Sequence, residues 1–130
     1  MYYAIIDFLT KRLNKHLKLY EFGSGYSTWF YSSFVSSVIA VEHDKKWYEI
    51  MVQNLPDNVK LLYEYENYSN SINLTEEYFD LVIIDGISRV NCIYNAVDSI
   101  SNQGVIILDD SNRFEYKEAI TFLKKQKKFR

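Results

Sequence analysis

The run Glu21-Phe22-Gly23-Ser24-Gly25-Tyr26-Ser27-Thr28 sets an acid just ahead of two glycines one residue apart. Glycines at that spacing permit a sharp turn and let a ligand come close to the backbone. A dinucleotide-binding fingerprint would carry a third glycine or alanine at position 28, where Thr28 stands. An acid at position 21 would repel a pyrophosphate but suits an ammonium group. The turn therefore fits a ligand with a cationic part better than one with phosphates. Twenty-one residues later comes Val41-Glu42-His43-Asp44. A carboxylate at that position, at the tip of a second strand, can accept hydrogen bonds from two ribose hydroxyls.

Two further apolar runs stop abruptly at acids: Phe79–Ile84 at Asp85, and Gly104–Leu108 at Asp109-Asp110. Asp85, Asp109 and Asp110 together could hold a hard cation such as Mg²⁺ or Ca²⁺ through oxygen ligands. They could instead bind donor groups of a substrate, and Asp110 or Ser111 could simply cap a helix. Arg89, close behind Asp85, could hold a substrate carboxylate or sulfate through two parallel hydrogen bonds. His43 is a candidate for the nucleoside end of a ligand or for a satisfied structural histidine. Cys92 lies on an apolar helical stripe and reads as buried rather than reactive.

Positioning these groups at one edge requires β-rich runs that alternate with helical patterns, the signature of βαβ units and a parallel sheet. Strands are expected at 17–22, 38–41, 59–63, 79–84 and 104–108. Helices are expected at about 3–16, about 27–35, from Asp44 to Pro56, along Val90, Ile93, Tyr94, Val97 and Ile100, and after Phe114. The stretch Glu64–Glu77 is polar and reads as a loop with one short helix. Right-handed crossovers put helices on both faces, and ligands of such sheets sit beyond the carboxyl ends of the strands. The expected fold is a Rossmann-like, doubly wound three-layer α/β/α domain over residues 1–130, with strand order 3-2-1-4-5.

The bulk composition narrows the partners. A net charge of -2 lacks the basic excess of nucleic-acid binding. No apolar stretch approaches the ~20 residues of a membrane span, and no signal peptide is recognisable. A single cysteine excludes an intrachain disulfide and fits a cytoplasmic protein. The 12 Tyr and 8 Phe exceed what so small a core can bury, so some must be exposed or line a pocket. The sequons at Asn67 and Asn73 read as chance matches.

Glu21-x-Gly23-x-Gly25, then Glu42, then Phe79–Gly86, then Gly104–Asp110 resembles the ordered motif series of class I S-adenosylmethionine-dependent methyltransferases, over roughly residues 17–115. The resemblance implies that Glu21, Gly23, Ser24, Gly25 and Ser27 hold the methionyl part of the cofactor. It puts Glu42 on the ribose and Asp85 facing the methyl-transfer site; His43 and Arg89 stand beside these as candidates read from their own positions. The acceptor it implies is a small molecule. A narrower likeness, to catechol-type metal-dependent O-methyltransferases, rests on Asp85 and Asp109-Asp110. That group carries a lysine base where Ser88 stands here, and Arg89 stays protonated. The full fold adds two strands after the last helix, and this chain stops where the sixth would begin. Strand five is then an open apolar edge, and a homodimer through that edge or the last helix is expected. The alternatives are a non-catalytic module of the same fold and a nicotinamide-dependent oxidoreductase domain, the latter disfavoured by Glu21 and Thr28.

Overall fold

A computed structural model describes residues 16–84 and 87–108. The expected helix at 3–16, the aspartates Asp85, Asp109 and Asp110, and the last helix lie outside the described residues.

Five strands form one sheet: β1 Lys18–Phe22, β2 Ser37–Glu42, β3 Val59–Tyr63, β4 Phe79–Ile84 and β5 Ile100–Leu108. All neighbouring pairs are parallel, and the order is 3-2-1-4-5, as the sequence predicts. Between the strands run α1 Tyr26–Ser32, α2 Lys45–Met51 with a 3₁₀ turn at Val52–Asn54, α3 Ser71–Leu74 and α4 Arg89–Val97. Asp44 caps α2 as expected, its carboxylate accepting from the backbone N–H of Trp47 at 3.0 Å.

The strands are apolar because both faces are covered. Leu19, Val38, Leu81, Ile83 and Val105 pack with Tyr31 and Val35, on the side of α1. Tyr20, Phe22, Val41, Val82, Ile84 and Ile106 point the other way, onto Ile72 of α3 and Cys92, Ile93 and Ala96 of α4. Neighbouring residues thus divide between two cores, the period-two geometry of a doubly covered strand. The tyrosines split as their number demands. Tyr20 and Tyr68 are buried, whereas Tyr26, Tyr65 and Tyr78 are exposed. Asn73, one of the two sequon residues, uses its side-chain amide inside the protein, donating to Asn95 O and Ser99 Oγ.

β5 begins earlier than the sequence predicts. Ile100 fits the helical spacing from Val90, yet α4 ends at Val97 and Ile100 pairs with Phe79 of β4. The next aligned pair is Leu81 with Val105, so β5 advances five residues while β4 advances two. Gly104 absorbs this bulge. A Cβ there would lie 2.3 Å from Ile100 Cγ1 and 3.0 Å from the carbonyl oxygen of Phe79. Gly104→Ala is therefore expected to cost about 1–3 kcal/mol, as overpacked core positions do. Denaturant unfolding checks this, and a midpoint equal to that of the parent protein would mean that the bulge yields freely.

No helix among the described residues is long and apolar enough to cross a membrane.

Candidate functional site

The glycine turn joins β1 to α1. Gly23 has φ 95, in the left-handed region that favours glycine, and its N–H donates to Val41 O at 3.0 Å. That bond ties the tip of β1 to the tip of β2. Gly25 is extended, and a Cβ on it would meet nothing within 4 Å, so open space lies against its backbone.

Glu21 sits beneath this turn, 2% exposed. Its two carboxylate oxygens accept from the hydroxyls of Ser27 and Thr28, both at 2.6 Å. Thr28 also accepts from the Gly25 N–H at 3.2 Å, while its own N–H donates to Gly25 O at 3.0 Å. The residue that departs from the dinucleotide fingerprint thus has its own task. It links the buried acid to the glycine turn, a link that a third glycine could not make.

Glu42 ends β2 and is also buried, at 5%. One oxygen accepts from Ser24 Oγ at 2.6 Å and the other from the Asp44 N–H at 3.0 Å. His43 Nδ1 lies 3.6 Å from the second oxygen. Trp47 of α2 donates its indole N–H to Ser24 O at 3.1 Å and so holds the turn from the opposite side. A carboxylate has about four lone-pair sites. Glu42 therefore keeps acceptor capacity for a ligand hydroxyl after the bonds from Ser24 and Asp44 are made.

Glu21, Gly23, Ser24, Gly25, Ser27, Glu42 and His43 are brought together at the carboxyl ends of β1 and β2. Trp47, Thr28 and Tyr68 join them, although the sequence does not mark them as ligand-side residues. Tyr68 packs its ring against Phe22, 5.8 Å between centroids, and against His43 at 5.6 Å. Only an aromatic residue shortly after β3 could have hinted at it.

The substrate side is described in part. Ile84 pairs with Leu108, so the described parts of β4 and β5 end side by side. Ser88, where the catechol-type pattern has lysine, is left-handed with φ 52 and precedes Arg89 at the head of α4. No group of three or more potential metal ligands occurs among the described residues, and the expected trio lies outside them. Cys92 is fully buried, as expected, and burial pushes its thiol up to about 12. It belongs to the core and not to the site.

No protein-family model and no curated protein matches the chain. Solved structures do. A precorrin-8w decarboxylase from Methanobacterium thermoautotrophicum superposes with a TM-score of 0.75 at 20% identity, over 92% of this chain and 69% of the other. A precorrin-6y C5,15-methyltransferase from Geobacter metallireducens gives a TM-score of 0.72 at 21% identity, over 92% of this chain and 68% of that one. With the strand order, this likeness shows that the chain has a Rossmann-like α/β fold, shared with the precorrin methyltransferase and the precorrin decarboxylase.

Proposed function

We propose that the chain binds S-adenosylmethionine at the tips of β1 and β2 and serves methyl transfer to a small-molecule acceptor. One observation carries this reading. Two buried carboxylates, Glu21 and Glu42, flank a glycine turn with open space against Gly25. An ammonium group and a ribose diol are the ligand groups that such a pair accepts, and the cofactor carries both. A nicotinamide dinucleotide would instead bring a pyrophosphate toward Glu21.

When bound, the cofactor supplies an electrophilic methyl on a sulfonium. Transfer of such a methyl needs alignment of acceptor and leaving sulfur more than covalent help. The protein's contribution is to hold the cofactor. Gly23 and Gly25 give backbone access, Ser27 and Thr28 fix Glu21, and Ser24 and Asp44 fix Glu42. Asp85 and Arg89 are the residues proposed to face the acceptor. The precorrin named for the methyltransferase neighbour illustrates the class of small-molecule acceptor.

Calorimetry with S-adenosylhomocysteine and with NAD tests the reading. The first should bind and the second should not. Glu42→Ala should weaken binding of the first by about 1–3 kcal/mol, the worth of hydrogen bonds to a charged group. Unchanged affinity in that variant would remove Glu42 from the ribose site. Binding of NAD in preference would overturn the proposal as a whole.

A further inference from the structure

Two buried polar atoms behind Glu42 have no hydrogen-bond partner among the described residues: Nδ1 of His43 and the hydroxyl oxygen of Tyr68. The two rings meet edge-on, with 5.6 Å between centroids and 85° between planes. Tyr68 is 2% exposed. Its hydroxyl is therefore an expense to the folded chain, since a buried polar group without a partner is destabilising. A phenylalanine would pack the same ring on Phe22 without that penalty.

The location gives the oxygen a use. Phe22, which Tyr68 touches, is the last residue before Gly23, and His43 directly follows Glu42. The pair thus stands behind the two strand tips that carry the proposed cofactor residues. The His43 side chain is 34% exposed, so part of the imidazole faces solvent while its Nδ1 is buried. Burial, with smaller contributions from Cys92 and Glu42, raises the Tyr68 pKa. The group is therefore a neutral phenol with a proton to donate.

We propose that Tyr68 is a further cofactor-binding residue, donating its hydroxyl proton to an acceptor atom of the nucleoside, with His43 as a movable cover over it. This rests on the reading of the site as one for S-adenosylmethionine. The acceptor is a ribose oxygen or a ring nitrogen of the base, both of which take a phenol proton in the same way.

The experiment compares the parent protein with Tyr68→Phe. Thermal melts without ligand and calorimetry with S-adenosylhomocysteine are recorded for both. The melting temperature of Tyr68→Phe should equal or exceed that of the parent protein, while its Kd rises about tenfold, the effect of one lost hydrogen bond in a site shielded from water. Analogues lacking one ribose hydroxyl or one ring nitrogen identify the acceptor. The analogue without the accepted atom should bind both proteins equally. A lower melting temperature in Tyr68→Phe would show that the hydroxyl is paired inside the protein and would overturn the proposal, as would an unchanged Kd. If the parent protein itself fails to bind, the cofactor reading falls and takes this inference with it. If the parent binds and Tyr68→Phe matches it, this inference alone falls.

Discussion

Glu21→Ala is expected to lower stability by about 2–4 kcal/mol and to abolish measurable cofactor binding. The carboxylate is 2% exposed and takes both hydroxyls of the first turn of α1. Its removal leaves Ser27 and Thr28 with protons directed at a cavity. Thr28 is wholly buried, so water does not replace the lost acceptor. The link from β1 through Thr28 to the Gly25 N–H breaks at the same time. The turn then loses its support from below while Trp47 still holds it from the side. Glu21→Gln separates the two effects. An amide oxygen can still accept one hydroxyl, so most of the stability should return, whereas the charge that favours an ammonium group does not. Denaturant unfolding and calorimetry on the two variants check this. A Glu21→Ala protein within about 0.5 kcal/mol of the parent, the usual range for surface substitutions, would show that the acid is dispensable to the fold.

Alkaline pH is expected to unfold the protein through three buried acids. Cys92 is pushed up from 9.0 to about 12, and Tyr20 and Tyr68 are raised above their ordinary value of 10.0, in each case chiefly by burial. The folded chain keeps these protons at a pH where the unfolded chain has lost them. The unfolded state then binds fewer protons than the folded one, so stability falls as pH rises. The full contribution of Cys92 is present below pH 9 and is lost progressively toward its folded value. The tyrosines add to the loss above pH 10.0. Each group contributes a slope of up to about 1.4 kcal/mol per pH unit, so the sum is on the order of several kcal/mol near pH 11. Urea midpoints taken at a series of pH values should be level to about pH 8, fall beyond 9 and fall more steeply beyond 10.0. Cys92→Ala should remove the earliest part of the decline. A decline that begins only with the surface lysines, or one indifferent to that substitution, would count against this assignment.

Much of the architecture is legible because burial on both faces writes itself into strands as unbroken apolar runs. The ranges 59–63 and 79–84 read from sequence coincide with β3 and β4. The glycine turn and Glu42 are legible because strand tips in a parallel sheet share one edge. Ile100 misleads for a local reason. It continues the helical spacing of α4, and what places it in β5 is pairing with Phe79, twenty-one residues earlier in the chain. Thr28 reads as a departure from a pattern, since the acceptor of its hydroxyl becomes apparent only when β1 and α1 are folded together. Tyr68 is hidden most completely. It lies in a polar stretch that reads as loop, and its burial comes from Phe22 and His43, both brought to it by the sheet.

The bond from Trp47 to the Ser24 carbonyl makes the glycine turn visible to fluorescence. Indole emission shifts with the polarity and hydrogen bonding around its nitrogen, and this nitrogen is bonded to the centre of the turn. The second tryptophan, Trp29, donates instead to Asn54 O, beyond the end of α2. The emission therefore sums one indole bonded to the turn and one bonded to Asn54. The protein carries an optical record of its glycine turn, readable without a label.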